Sequence, residues 1–213
     1  MAYPSSLSMD RYKMEEEMRM QVNHRSSKLI KLVVLSLLSA VSLVLFFISF
    51  PLPLLPPYLK VDFSDIPALI AGLIFSPLAG VLVVLIKNAL YFVASGATDP
   101  IGVAANFIAG TLYIFPVAYL YHKYKGVKSI ISGLVIGTAG MAVIMSVLNY
   151  LIILPAYSWL VGMEMDETIK WASVIGGILP FNVIKGLIVG MLFVPLFMKM
   201  NQWIDQKQMQ VAK

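Results

Sequence analysis

Residues 32–59 of this 213-residue chain carry no charged side chain. In water such a stretch would need other protein wrapped around all its sides. In a bilayer, about 20 such residues suffice to cross a hydrocarbon core near 30 Å. The rest of the chain repeats the pattern. It is 59% hydrophobic and 13% charged, against roughly 25% charged for an ordinary soluble domain, which leaves too little polar surface for a water-soluble globule. The chain reads as an all-α integral membrane protein. It has no cysteine, which excludes a disulfide scaffold, a thiolate metal site and a cysteine nucleophile together.

Residues 1–28 stand apart. They hold Arg11, Lys13, Glu15, Glu16, Glu17, Arg19 and Arg25 with no apolar run, so they do not form a signal peptide. This polar, partly tag-like tail is set aside from the functional argument. The first span is expected over 29–50, ended by Pro51, Pro53, Pro56 and Pro57, since proline lacks the amide proton and clashes with the preceding turn. The loop 51–65, with Tyr58, Lys60, Asp62, Phe63 and Asp65, suits a structured lid better than a slack linker. Residues 66–95 are too long for one straight span and short for two, and Ser76-Pro77 is the expected break. Spans at 101–121, 130–154 and 176–198 bring the count to six, with a C-terminal tail at 201–213.

Charge bias supports six transmembrane helices with both termini cytoplasmic. Residues 1–31, 122–128 and 199–213 hold six, three and three of the sixteen Lys and Arg residues, and cytoplasmic loops collect such residues. The other loops hold Lys60 and Lys170 against Asp62, Asp65, Asp99, Glu164, Asp166 and Glu167. Five spans would place Lys123, Lys125 and Lys128 outside. The second span, 66–75, covers only ~15 Å, so its backbone must be covered by neighbouring protein. The net charge of +5 is thus topological. The expected surroundings are a lipid bilayer, with no nucleic-acid partner.

Polar residues inside spans are costly and mark function more often than packing when they ionise. The candidates are Lys87, Asn88, Asn106, Asn149, Asn182 and Lys185, and no Asp or Glu lies in any predicted span. Counted from the expected outer ends, Asn149 and Asn182 each lie ~9 Å deep, Lys87 ~12 Å and Lys185 ~13 Å. All fall in the outer half. Asn182 and Lys185, three apart, share a helix face. A polar-lined pocket open to the outside and capped by 51–65 follows as the expectation. Plainer roles stand beside it. Asn88, Asn106 and Asn149 can glue helices together, Lys87 can snorkel, and Tyr58 and Asp62 can fold the loop. Gly72, Gly80, Gly133, Gly137 and Gly140 read as sites of close helix packing.

No catalytic constellation is present. There is no phosphate-cradling loop ending in Lys-Ser or Lys-Thr. His24 and His122 lie in polar segments without metal-ligand spacing, so no metal site is expected. Ion-coupled transport normally needs an intramembrane carboxylate, which the predicted spans lack. Substrate binding without a local energy source is the reading that remains.

The segment Pro51-Leu-Pro-Leu-Leu-Pro-Pro-Tyr-Leu-Lys-Val-Asp-Phe-Ser-Asp-Ile-Pro67, together with Ile86-Lys87-Asn88 and Leu179-Pro-Phe-Asn-Val-Ile-Lys-Gly186, resembles the riboflavin-specific S components of energy-coupling factor (ECF) vitamin transporters. The likeness runs over 29–200 with order and spacing intact. It implies a six-span substrate-binding subunit of the bacterial cytoplasmic membrane that captures riboflavin from outside. It also implies a transmembrane coupling protein and two cytoplasmic ATPases as partners, so ATP hydrolysis lies on other chains and this one is no enzyme. Riboflavin is bound as transported substrate, with no cofactor expected. Carried over by position, Asn149, Asn182 and Lys185 resemble flavin-contacting residues, with Tyr58, Asp62 and Lys87 as further candidates. The family's small-residue docking patch on the first span has its nearest match in Ser36, Ser39 and Ala40. The alternatives are an S component for another vitamin such as thiamine, whose positive charge Lys185 disfavours, and a free-standing facilitator.

Overall fold

The computed structural model describes residues 6–162 and 165–211. Glu164 and Lys213, counted among the charges above, lie outside the described residues. The polar segment and the first span form one continuous helix, α1 (Ser6–Phe47). The prolines that follow withdraw amide donors and fix φ. The chain there makes a short antiparallel ribbon of β1 (Phe50–Pro51) and β2 (Lys60–Val61), with Phe50 opposite Val61 and Pro51 opposite Lys60.

The chain breaks at Ser76-Pro77, between α2 (Asp65–Ile74) and α3 (Pro77–Ala94). The Ser76 hydroxyl accepts from the Ala79 N–H at 3.2 Å. Pro77 takes a first-turn position, where a missing N–H costs nothing. The helix α4 (Pro100–Tyr124) opens the same way, Asp99 accepting from the Gly102 N–H at 2.8 Å. Lys125 alone separates α4 from α5 (Gly126–Leu148).

The last two long helices each contain a widened turn. The helix α5 passes through a π-helical turn, Asn149–Ile153, into α6 (Leu154–Val161). That helix ends at Gly162, whose φ of 69° suits a residue without a Cβ. Then α7 (Glu167–Ser173) passes through a second π turn, Val174–Ile178, into α8 (Leu179–Val211). Both turns precede an Ile-Leu-Pro triplet, 153–155 and 178–180. The Leu154 N–H reaches back five residues to the Asn149 carbonyl, and the Leu179 N–H to the Val174 carbonyl. A wider turn moves the backbone off the proline ring, which would otherwise strike the carbonyl four residues back. These prolines therefore do not end their helices. From Asn149 to Val161 is ~18 Å and from Glu167 to Asn182 ~22 Å along the helix, so both helices run on past the span ends expected at 154 and 176.

Among the described residues, five stretches are long and apolar enough to cross a membrane: Lys28–Phe47, Pro77–Ala94, Pro100–Tyr124, Gly126–Leu160 and Glu167–Met209, with α2 as a shorter apolar helix. Their surface is inverted relative to a soluble protein. Leu37, Val44, Leu82, Val135, Leu187 and Met191 are exposed while Lys87, Lys185, Asp62 and Asp65 are buried, the arrangement expected when the solvent is hydrocarbon.

Close packing joins α4 to α5. A Cβ on Gly137 would stand 2.6 Å from the Tyr113 carbonyl oxygen, and one on Gly133 2.6 Å from the Val117 Cα. Gly80 lies against Gly72 and the Ala68 carbonyl, so α2 and α3 also touch through backbone. Gly140, expected in the same role, faces open space. The short helix α2 leaves C-terminal carbonyls that need partners. The His122 ring nitrogen Nε2 lies 2.9 Å from the Gly72 carbonyl oxygen, and the Gln208 amide donates to the Leu73 carbonyl. These contacts gather the C-terminal parts of α2, α4 and α8 at one end of the bundle. At the other end the Tyr157 hydroxyl donates to Asp99 at 2.7 Å, setting α6 beside the start of α4.

Candidate functional site

The polar interior begins with two lysines that the helix pattern buries. Lys87 on α3 and Lys185 on α8 are 0% and 4% exposed, and a buried ammonium requires a counter-charge. Asp62 and Asp65, each 1% exposed, supply it. Lys185 Nζ lies 3.1 Å from Asp62 Oδ2 and 3.5 Å from Asp65 Oδ2, and Lys87 Nζ lies 3.5 Å from Asp65 Oδ1. The expectation that no carboxylate lies within the membrane-crossing region is thus corrected. The ribbon and the start of α2 dip into the bundle, carrying both acids to the level of Lys87 and Lys185, because two unpaired ammonium groups there would cost more than burying two carboxylates beside them. The argument against ion coupling from a missing carboxylate falls with it.

Serines fasten this network to its surroundings. Asp62 Oδ1 accepts from the Ser64 N–H at 2.9 Å and from the Ser64 hydroxyl. That hydroxyl oxygen in turn accepts from Lys87 at 2.7 Å. Ser42 on α1 donates to the Ser64 carbonyl, and Lys87 Nζ also sits 4.7 Å from the centre of the Phe46 ring. From α4, Tyr113 donates its hydroxyl to the Gly186 carbonyl at 2.9 Å, pinning α8 beside Lys185.

The second polar group is neutral. Asn149 opens the first π turn and donates to the Met145 carbonyl at 2.7 Å. Asn182 lies just past the second and donates to the Ile178 carbonyl at 2.8 Å. Each spends one amide N–H on its own helix, and an amide has another donor and an acceptor oxygen besides. The two π turns pack against each other. The ribbon loop covers them: Leu59 packs on Leu154, Val174 and Ile178, and Pro56 lies 3.3 Å from where a Gly177 Cβ would be.

The remaining candidates land elsewhere. Tyr58 is 61% exposed on the loop. Asn88 donates to the Val84 carbonyl of its own helix at 2.8 Å. Of the patch on α1, Ser36 and Ala40 are exposed, whereas Ser39 is buried and bonds to the Leu35 carbonyl. Ser39 therefore lies off the exposed face, and the small-residue patch is narrower than expected. Asp65 and Ser64 join this buried polar group although neither is among the candidate site residues. Two lysines in otherwise apolar spans demand two acids, and only Asp62 and Asp65 stand at the head of a half-length helix able to reach them.

The profile of the family described as ECF transporter, substrate-specific component, matches residues 30–197. A protein of Bacillus subtilis (strain 168) called riboflavin transporter FmnP is 49% identical over 184 residues, 85% of this chain and 97% of its own length. Riboflavin transporter RibU of Staphylococcus aureus (strain TCH60) is 38% identical over 189 residues, 88% of this chain and 98% of its own. A solved structure described as the S component of a bacterial ECF transporter superposes with a TM-score of 0.72 at 40% identity, covering 83% of this chain and 98% of the other.

Proposed function

The chain belongs to the substrate-specific components of ECF transporters, and from that premise we propose that it captures riboflavin for import across the bacterial cell membrane. It is a multi-pass transport subunit and not an enzyme. The observation that carries the substrate is the near end-to-end likeness to proteins named riboflavin transporters. The polar interior gives that reading a chemistry. A flavin's pyrimidine edge alternates carbonyl acceptors with an N–H donor, and the amides of Asn149 and Asn182 offer both kinds of group. Lys185 donates to a carbonyl or ring nitrogen. The fused rings rest on the apolar walls around the π turns, and the ribityl hydroxyls point toward the 51–65 loop, with Tyr58 at its exposed rim.

In this reading α2 is the second of six membrane helices, both termini are cytoplasmic, and the pocket opens on the ribbon side. The basic residues support this orientation, since they gather at the end where α2, α4 and α8 finish. Energy comes from a separate module, a transmembrane coupling protein with two cytoplasmic ATPases. Ser36 and Ala40, on the exposed face of α1, form the docking patch.

The test is the visible absorption spectrum of the purified, detergent-solubilised protein, followed by titration with riboflavin. Co-purified yellow colour, or quenching of added flavin that thiamine does not reverse, is the expected result. A folded protein that ignores riboflavin would overturn the substrate. Riboflavin flux into liposomes containing this chain alone would replace the ATP-driven reading with a facilitator.

A further inference from the structure

The two buried lysines are not equivalent. An ammonium has three N–H donors. Lys87 donates to the Ser64 hydroxyl at 2.7 Å, pairs with the Asp65 charge at 3.5 Å without a hydrogen bond, and lies 4.7 Å over the Phe46 ring face. Among the described residues Lys185 donates to Asp62 at 3.1 Å, and Asp65 at 3.5 Å adds a second counter-charge without a hydrogen bond. Asp62 cannot turn away from Lys185, because its other oxygen is held by both the N–H and the hydroxyl of Ser64. We propose that Asp62 is a positioning residue that takes one donor of Lys185 and, with Asp65 as a second counter-charge, holds the ammonium so that a remaining donor meets the acceptor edge of the substrate, while Lys87 completes the neutrality of the group without touching it.

The charge count strengthens the point. Two ammonium groups and two carboxylates sum to zero, so the ligand meets an oriented donor and no net cation. Such a site selects an uncharged acceptor, a carbonyl or ring nitrogen, where an isolated lysine would favour an anion. The inference rests on the riboflavin reading above. It moves Asp62 and Lys87 from candidate ligand contacts to the scaffold behind one.

The experiment is a double-mutant cycle read by riboflavin titration and by thermal unfolding without ligand, on the parent protein, D62N, K185M and D62N/K185M. Both single variants should weaken binding about tenfold, the scale of a hydrogen bond to a charged group. The double variant should bind no worse than K185M, because Asp62 acts only through Lys185. It should also unfold at a higher temperature than K185M, since the pair left behind, Asp65 with Lys87, is neutral. Losses that multiply in the double variant, or parental affinity in D62N, would overturn the proposal. Should D62N fail to fold, Ser64→Ala tests the same link with all four charges kept. It should weaken binding about threefold in the parent and not at all in K185M, and unchanged binding in the parent background would overturn the proposal. A folded parent that binds no riboflavin would instead remove the substrate reading itself.

Discussion

Two sides of one interior treat polarity in opposite ways. Where α2, α3 and α8 meet, four formal charges close on one another and on Ser64. Where the two π turns meet, Asn149 and Asn182 bond to carbonyls one turn back, and among the described residues neither pairs with a charged group. The costs differ. Leaving a buried charge unpaired costs several kcal/mol, whereas an amide lacking one partner costs about 1–3 kcal/mol. A membrane protein can therefore hold amides in reserve for a ligand but not bare charges. Lys185 stands on the border, three residues from Asn182 on the same helix face, and takes its counter-ions from Asp62 and Asp65.

The strongest way to break the contrast is Lys87→Met, which strands Asp65 beside Lys185 alone. It should cost about 3–5 kcal/mol, seen as a large fall in unfolding temperature in detergent. Adding Asp65→Asn should recover much of that loss. A single variant as stable as the parent would show that the charged side is not closed.

Gly137→Ala, away from both regions, should cost about 1–3 kcal/mol by wedging α4 from α5. Asn182→Ala sharpens the neutral side. Riboflavin binding should weaken by about 1 kcal/mol or more, while unfolding temperature barely moves because the lost bond is to its own helix. A drop in stability with unchanged affinity would make Asn182 a structural residue. Gly140→Ala, facing open space, should change stability by less than about 0.5 kcal/mol.

Local chemistry made some of this legible in advance. Ser76-Pro77 announces a helix end and a helix start within two residues, and the structure breaks there. The glycines at 133 and 137 signalled close approach correctly, whereas Gly140 carries the same signal and meets nothing, because a glycine's spacing does not say which face has a neighbour. The span end expected at 154, beside Pro155, misled for a related reason. A proline forbids the ordinary turn but not the wider one, and packing between two such turns lets both helices continue. Ser39 shows the limit on α1, where one position separates an exposed small residue from a buried one.

The amino-acid order by itself determined a charge-poor, helix-forming chain for a bilayer, with breaks where prolines remove donors. It also determined the family likeness, since the segments that carry it are contiguous. Only the tertiary structure decided what the charges do. Lys185 and Asp62 are 123 residues apart, and nothing local requires that they meet. They meet because α2 is half-length, so the loop before it must dip inward, and because hydrocarbon leaves a buried ammonium no other partner.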